Sequence, residues 1–142
     1  MADRSAIEWT DATWNPIRGN PESFGRWYCE RISPGCDHCY ASTFNRRLGG
    51  ELYGEAGRMP SPHASDEWAA HVLLDEGALL QPLHWRRPRR IFVCSMTDLF
   101  GEWVPDDWID QIYSVMALCP QHTFQVLTKR PSRMLRWSRQ TF

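Results

Sequence analysis

The chain has 142 residues, of which 42% are hydrophobic and 23% are charged, and its formal net charge is −1 at pH 7. This composition excludes a disordered polar tail and fits one globular domain over residues 1–142. The near-neutral net charge excludes an overall basic field that would attract nucleic acid.

The first ten residues carry acidic and polar residues within their first few positions and contain no apolar signal region. No apolar run approaches the ~20 residues that a membrane-spanning helix needs. We therefore expect a soluble, cytoplasmic protein without a membrane partner. In a reducing cytoplasm its five cysteines are expected to bind metal or do redox chemistry rather than form disulfides.

Strand and helix signals alternate along the chain and are separated by glycine and proline. Apolar runs predict the strands, while apolar residues three and four apart predict the helices. Asp75 is a predicted helix cap, and Pro105 a predicted first-turn residue. In chain order we predict a strand within 6–17, a loop over 18–33, a helix over 39–48 that ends at Gly49 and Gly50, a loop over 51–65, a strand over 71–74, a helix over 75–83, a basic turn over 86–90, a strand over 90–96, a helix from Pro105 that stops before Pro120, a strand over 123–127 and the opening of a helix over 132–139.

This alternation predicts an α/β fold built from βαβ units around a parallel sheet. About three β/α units are visible, which is too few for a closed barrel of about eight strands. We therefore expect a partial, barrel-like (β/α) sheet that forms the N-terminal part of a longer barrel.

Three polar segments follow predicted turns or strand ends: the cysteine loop, residues 95–98 and residues 128–130. Functional side chains gather at the carboxyl ends of parallel strands. We predict that these three segments lie on one rim of the sheet.

Cys29, Cys36 and Cys39 form the clearest candidate site, since the last two make a C-x-x-C pair. Three thiolates on a four-iron cluster leave one iron position open for a substrate or cofactor, whereas fully ligated clusters usually transfer electrons. Zinc is the alternative, because His38, His63 or His71 could supply a fourth ligand. A zinc site would make the chain a non-enzymatic binding module.

The remaining cysteines and the basic turn are assigned structural roles. We expect Cys94 to be a small buried residue inside an apolar strand and Cys119 to end a helix. The arginines of residues 86–90 could contact a nucleic-acid backbone, with Trp85 stacking on a base. We prefer a solvated turn, because the net charge is close to zero.

Several segments together carry a resemblance to a known family. The chain resembles an uncharacterised phage and bacterial three-cysteine-motif family. That family is itself similar to radical SAM enzymes and distantly to spore photoproduct lyase. The segments that carry this resemblance are 7–16, 33–41, 88–93, 95–100 and 120–131.

The resemblance implies a 4Fe-4S cluster and S-adenosylmethionine as cofactors. S-adenosylmethionine would chelate the open iron through its amino and carboxylate groups, and one-electron reduction by an external donor would release a 5′-deoxyadenosyl radical that abstracts hydrogen from a substrate. Nucleic acid is one candidate substrate, and a partner protein one candidate requirement. Two departures stand out: six residues separate Cys29 from Cys36, whereas radical SAM enzymes have C-x3-C-x2-C, and relatives are longer. An inactive fragment or accessory subunit is therefore the second alternative.

The same resemblance gives a role to His38, and positions after predicted strands suggest roles for four further residues. His38 takes the place where the family pattern puts an aromatic residue near adenine, or it could be an ordinary loop histidine. Ser95 and Asp98 could bind the amino group or ribose of the cofactor, or could simply bond within a turn. Lys129 and Arg130 could hold a carboxylate or phosphate, or could form a solvated pair.

Overall fold

The computed structural model describes residues 4–20, 26–50, 52–55 and 72–142. His63, His71 and most of the loop predicted over 51–65 lie outside the described residues. The strands are β1 Ala12–Trp14, β2 Ile17–Gly19, β3 Glu30–Arg31, β4 Gly54–Glu55, β5 Val72–Leu74, β6 Arg90–Val93 and β7 Thr123–Val126. The helices are α1 Tyr40–Arg47, α2 Glu76–Leu79, α3 Gln81–His84, α4 Asp106–Ala117 and α5 Pro131–Thr141, and a 3-10 turn spans Pro34–Cys36.

A three-stranded parallel sheet in the order β1-β6-β7 lies at the centre of the fold. Its register aligns Trp14 with Val93 and Val93 with Val126. The helices α4 and α5 follow β6 and β7 along the chain. This arrangement confirms the predicted α/β class with a parallel sheet and a partial β/α architecture.

Two small pairings lie outside that sheet and differ from the prediction of one long loop over 18–33. Strand β2 pairs antiparallel with β5, and β3 pairs in parallel with β4. Arg18 in β2 also forms an ion pair of 3.6 Å with Asp75. Strands of two or three residues show too little side-chain alternation to be predicted, and their partners lie far away in sequence.

The main core forms between the central sheet and the helices that follow it. Ile91 and Val93 of β6 pack with Ile109 and Ile112 of α4, and all four side chains are buried. Burial of this kind supplies most of the stability of a small domain. Further fully buried members of the core are Trp14, Leu99, Phe100, Trp103 and Val104.

The helix boundaries differ slightly from the predicted ones. Pro105 is the N-cap of α4 rather than its first helical residue, and α4 ends at Ala117, three residues before Pro120. Asp75 caps α2 as predicted, since its side chain accepts a 2.9 Å hydrogen bond from the Ala78 backbone N–H. The helix predicted over 75–83 is split at Leu80 into α2 and α3.

Helix α1 follows the cysteine segment directly, with Cys39 as its N-cap. It ends as predicted, because Gly49 adopts a φ of 87° that favours glycine. A side chain at Gly50 would collide with the fully buried Asn45, whose nearest atom lies 2.6 Å from a built Cβ. Among the helices described here, none is long and apolar enough to cross a membrane.

Candidate functional site

A cavity of about 660 Å³ lies at the carboxyl ends of β6 and β7. The cysteine segment, residues 95–98 and residues 128–130 all contribute to its wall, so the predicted common rim is confirmed. The volume falls in the range of cofactor and small-molecule sites, roughly 300–1,000 Å³. The predicted site residues that line the cavity are Cys29, Cys36, Cys39, Ser95, Asp98, Lys129 and Arg130.

Among the predicted site residues that the structure describes, His38 alone does not line this cavity. It lies exposed in the turn between Cys36 and Cys39. Consecutive tight turns form this segment, with backbone hydrogen bonds from Cys36 to Ser33 at 2.9 Å and from Cys39 to Cys36 at 3.2 Å. The turns carry the two cysteines to the cavity and leave the histidine at the surface.

The three cavity cysteines are half-buried, but two of them differ in acidity. Burial is the largest influence on the Cys36 thiol and would raise its pKa. Hydrogen bonds from the Ile32 and Ser33 backbone, the Ser33 hydroxyl and the Lys129 ammonium outweigh it and lower the pKa to about 7. Burial raises the pKa of Cys29 to about 12. At neutral pH, Cys36 is therefore partly a thiolate and Cys29 is a thiol.

The three cavity cysteines are the thiol donors that this site offers to a metal centre, while His63 and His71, two of the candidate zinc ligands, lie outside the described residues. Within the described parts of the chain, no three His, Cys, Asp or Glu side chains come together closely enough to hold one ion. An iron–sulfur cluster instead binds its cysteines through separate iron atoms, so it requires thiols distributed around a shared space. Cys29, Cys36 and Cys39 line such a space.

Asp98 connects the segment after β6 to the segment after β7. One carboxylate oxygen accepts hydrogen bonds from the Thr128 hydroxyl at 2.7 Å and the Phe100 backbone N–H at 3.0 Å. The other accepts from the Lys129 backbone N–H at 3.0 Å and the Arg130 guanidinium at 3.2 Å. Because a carboxylate has about four acceptor sites, these bonds occupy Asp98 within the protein.

The two cations at the end of β7 lie in different environments. The Arg130 side chain is only 9% exposed, and its guanidinium lies 4.7 Å from the centre of the Trp103 ring and bonds to Asp98. The Lys129 side chain is exposed and its Nζ lies 3.3 Å from the Cys36 sulfur. Arg130 is thus a fixed positive charge in the cavity wall, whereas Lys129 contacts a predicted metal ligand.

Ser95 is held by Asn15, a residue for which the sequence suggested no definite role. The Asn15 amide nitrogen donates to the Ser95 hydroxyl at 3.0 Å, and its oxygen accepts from the Met96 backbone N–H at 3.0 Å. Asn15 follows β1, so this buried side chain ties the first strand to the segment after β6. In the sequence, the position of Asn15 directly before Pro16, at the end of a predicted strand, was the one feature that could have indicated this role.

Two tyrosines complete the cavity wall and were not predicted. The Tyr40 hydroxyl donates to the Ser95 carbonyl at 2.8 Å, and the Tyr53 hydroxyl donates to the Met96 carbonyl. The Tyr40 bond holds the start of α1, next to Cys39, against the segment after β6, and the Tyr53 bond ties the chain that follows α1 to the same segment. Long-range hydrogen bonds of single tyrosines leave no pattern in a sequence.

The remaining cysteines and the basic turn lie away from the predicted chemistry. Cys94 is buried as expected, but it follows β6 instead of lying within it and has a φ of 53°. Cys119 is buried beyond the end of α4. In the basic turn, Arg89 lies 4.9 Å from the Trp85 ring centre and Arg90 pairs with Asp11 at 2.9 Å. Arg90 begins β6, so this turn lies at the opposite end of the strand from the cavity.

Comparison with known proteins places the chain in one family. A family model described as "Protein of unknown function (DUF5131)" matches residues 4–142. No curated protein and no solved structure matches the chain significantly. The chain therefore belongs to the DUF5131 family, which agrees with the expectation of an uncharacterised family and names neither a cofactor nor a reaction.

Proposed function

We propose that this member of the DUF5131 family is a radical SAM-like enzyme that binds a 4Fe-4S cluster through Cys29, Cys36 and Cys39. Such a cluster, with one iron open to S-adenosylmethionine, supplies a 5′-deoxyadenosyl radical when an external donor provides one electron. The observation that carries the proposal is the single cavity lined by all three thiols at the carboxyl end of a parallel sheet.

The charges in the cavity wall support a carboxylate-bearing cofactor. Arg130 and Lys129 contribute two cations to the wall, and a guanidinium suits a carboxylate particularly well. The Asp98 carboxylate orients both residues, since it accepts hydrogen bonds from the Arg130 guanidinium and from the Lys129 backbone N–H. In this proposal Asp98 positions the cations and does not itself contact the cofactor.

The protonation states of the thiols determine how the site is loaded. Cys36 requires little energy to become a thiolate at neutral pH, whereas Cys29 has to lose a proton that burial holds on it. Metal ligation deprotonates a thiol. We therefore expect loading to release protons and to be slower below neutral pH.

S-adenosylmethionine binding to the open iron provides the direct test of this proposal. The protein is reconstituted with iron and sulfide without oxygen, reduced with dithionite, and measured by electron paramagnetic resonance with and without S-adenosylmethionine. We expect the cofactor to change the spectrum of the reduced cluster and 5′-deoxyadenosine to form. The Cys36→Ser variant should show neither effect, while Cys119→Ala, which changes a buried cysteine outside the cavity, should show both.

Two results would contradict the proposal in different ways. A colourless protein that binds one zinc ion per chain would indicate the non-enzymatic binding module. A cluster whose electron paramagnetic resonance spectrum is unchanged by S-adenosylmethionine would indicate an inactive fragment or an accessory subunit.

A further inference from the structure

A second cavity, of about 510 Å³, lies on the outer side of the cysteine segment. It shares Arg31, Cys36, Cys39 and Tyr53 with the first cavity, so the turn that carries the two cysteines is a common wall. The rest of its lining comes mainly from one side of α1. None of the functions discussed above uses this cavity.

Its lining is strongly basic, although the chain as a whole is close to neutral. Three arginines and one aspartate contribute to the wall, which leaves two positive charges in excess. The aspartate, Asp37, is already paired with Arg31. Within the described part of the chain, neither Arg46 nor Arg47 makes an ion pair.

A purely structural role explains only part of this arrangement. Arg46 and Arg47 lie in the last turn of α1, where positive charge interacts favourably with the helix dipole. That interaction does not require both side chains to line the same concave pocket, and it leaves their hydrogen-bond donors unused. Thr43, one turn earlier on α1, adds an exposed hydroxyl to the same wall.

We propose that this second cavity binds a phosphate group through Arg46 and Arg47. A phosphate monoester carries about −1.5 to −2 charges at pH 7, which matches the excess charge of the lining. Arginine pairs with phosphate through two parallel hydrogen bonds, and the Thr43 hydroxyl can donate a further one. Free phosphate and a nucleotide both offer such a doubly ionisable phosphate, whereas each phosphodiester of a nucleic-acid backbone carries one negative charge and should bind more weakly.

Calorimetric titration of the full chain in a phosphate-free buffer tests this proposal. The probes are inorganic phosphate, adenosine 5′-monophosphate, adenosine and a single-stranded oligonucleotide. We expect adenosine 5′-monophosphate to bind with one site per chain and adenosine not to bind. The probe that binds most tightly identifies the source of the phosphate. Arg46→Gln with Arg47→Gln should weaken binding about tenfold or more, because charge-assisted hydrogen bonds are lost.

Arg86→Gln with Arg87→Gln is the matched control, since it removes two exposed arginines outside the cavity. This pair should bind as the unaltered chain does. Arg46→Lys with Arg47→Lys keeps the charge and should retain weakened binding. Residual binding of this kind would show that the glutamine pair loses contacts to the phosphate and not the fold. Equal weakening by both glutamine pairs, binding of adenosine, or no binding of any phosphate probe would overturn the proposal. None of these measurements requires iron, so they are independent of the proposed enzymatic function.

Discussion

The side chain of Asp98 joins two segments that are thirty residues apart in sequence but adjacent in the site. It accepts hydrogen bonds from Phe100, Thr128, Lys129 and Arg130, and its ion pair with Arg130 is almost completely buried. A buried charge that loses its partner is costly because water no longer solvates it. The residue therefore contributes to the site mainly by fixing its geometry.

Replacing Asp98 by asparagine should destabilise the protein by about 3 kcal/mol, the cost of leaving a buried charge unpaired. Urea denaturation at pH 7 measures this loss. Asp11→Asn is the matched control, because the Asp11–Arg90 pair is 46% and 50% exposed and contributes far less. An Asp98 variant as stable as the Asp11 variant would show that Arg130 finds another partner.

Cys36 should be the most reactive cavity cysteine in the metal-free protein. Its lowered pKa predicts that alkylation by iodoacetamide accelerates as the pH rises through about 7 and then levels off, while Cys29 stays unreactive. Lys129→Met removes a cation that favours the thiolate, so alkylation at pH 7 should slow several-fold. Peptide mass spectrometry locates the modified residue.

The control for this prediction is Lys129→Arg, which keeps a cation beside the sulfur and should preserve most of the rate at pH 7. Lys129 is the only lysine in the chain, so no other ammonium can replace it. Unchanged alkylation in Lys129→Met would mean that the turn backbone and Ser33 alone account for the lowered pKa.

The elements that were predicted correctly are those with the strongest apolar patterns. The runs in β6 and β7 and the helical spacing in α4 identify buried faces without knowledge of their partners. By contrast, β2 lies in a segment predicted as loop and becomes a strand by pairing with β5, and Cys94 leaves the strand with a positive φ that its apolar neighbours do not reveal. Pairing and backbone turns of this kind depend on tertiary contacts.

The sequence predicted which residues form the candidate site, but it did not predict the hydrogen bonds between them. The C-x-x-C spacing and the strand-end positions of Ser95 and Arg130 placed them together correctly. The sequence did not indicate that Asp98 is fully hydrogen-bonded within the protein, or that Asn15 holds the segment after β6. Such contacts are decided by which side chains meet across the sheet.

Helix α5 is attached to the rest of the fold by two buried side chains, Trp137 in the main core and Arg133. Arg133 donates to the Gly101 and Val104 carbonyls and forms a 2.8 Å ion pair with Asp106. Arg133→Met should therefore cost about 2 kcal/mol, because two carbonyls lose their donor. The same substitution at the exposed Arg136 of α5 provides the control and should leave the urea midpoint nearly unchanged. Equal midpoints for the two variants would show that α5 is attached by apolar packing alone.

At the scale of the whole molecule, the cysteine segment separates two cavities of different character. The inner cavity contains the three thiols and two cations at the carboxyl end of the sheet, and the outer cavity presents Arg46 and Arg47, which make no ion pair with the described residues. In the proposed function the inner cavity holds the cluster and its cofactor. The outer cavity is proposed to hold a phosphate through Arg46 and Arg47.

The iron and acid-labile sulfide content of protein purified without oxygen tests the central claim most directly. We expect about four irons and four sulfides per chain in the unaltered protein and in Cys119→Ala, and loss of both in Cys29→Ala, Cys36→Ala and Cys39→Ala. Full iron and sulfide content in any one of these three variants, or an iron-free unaltered protein after reconstitution, would contradict the claim that all three thiols hold a cluster.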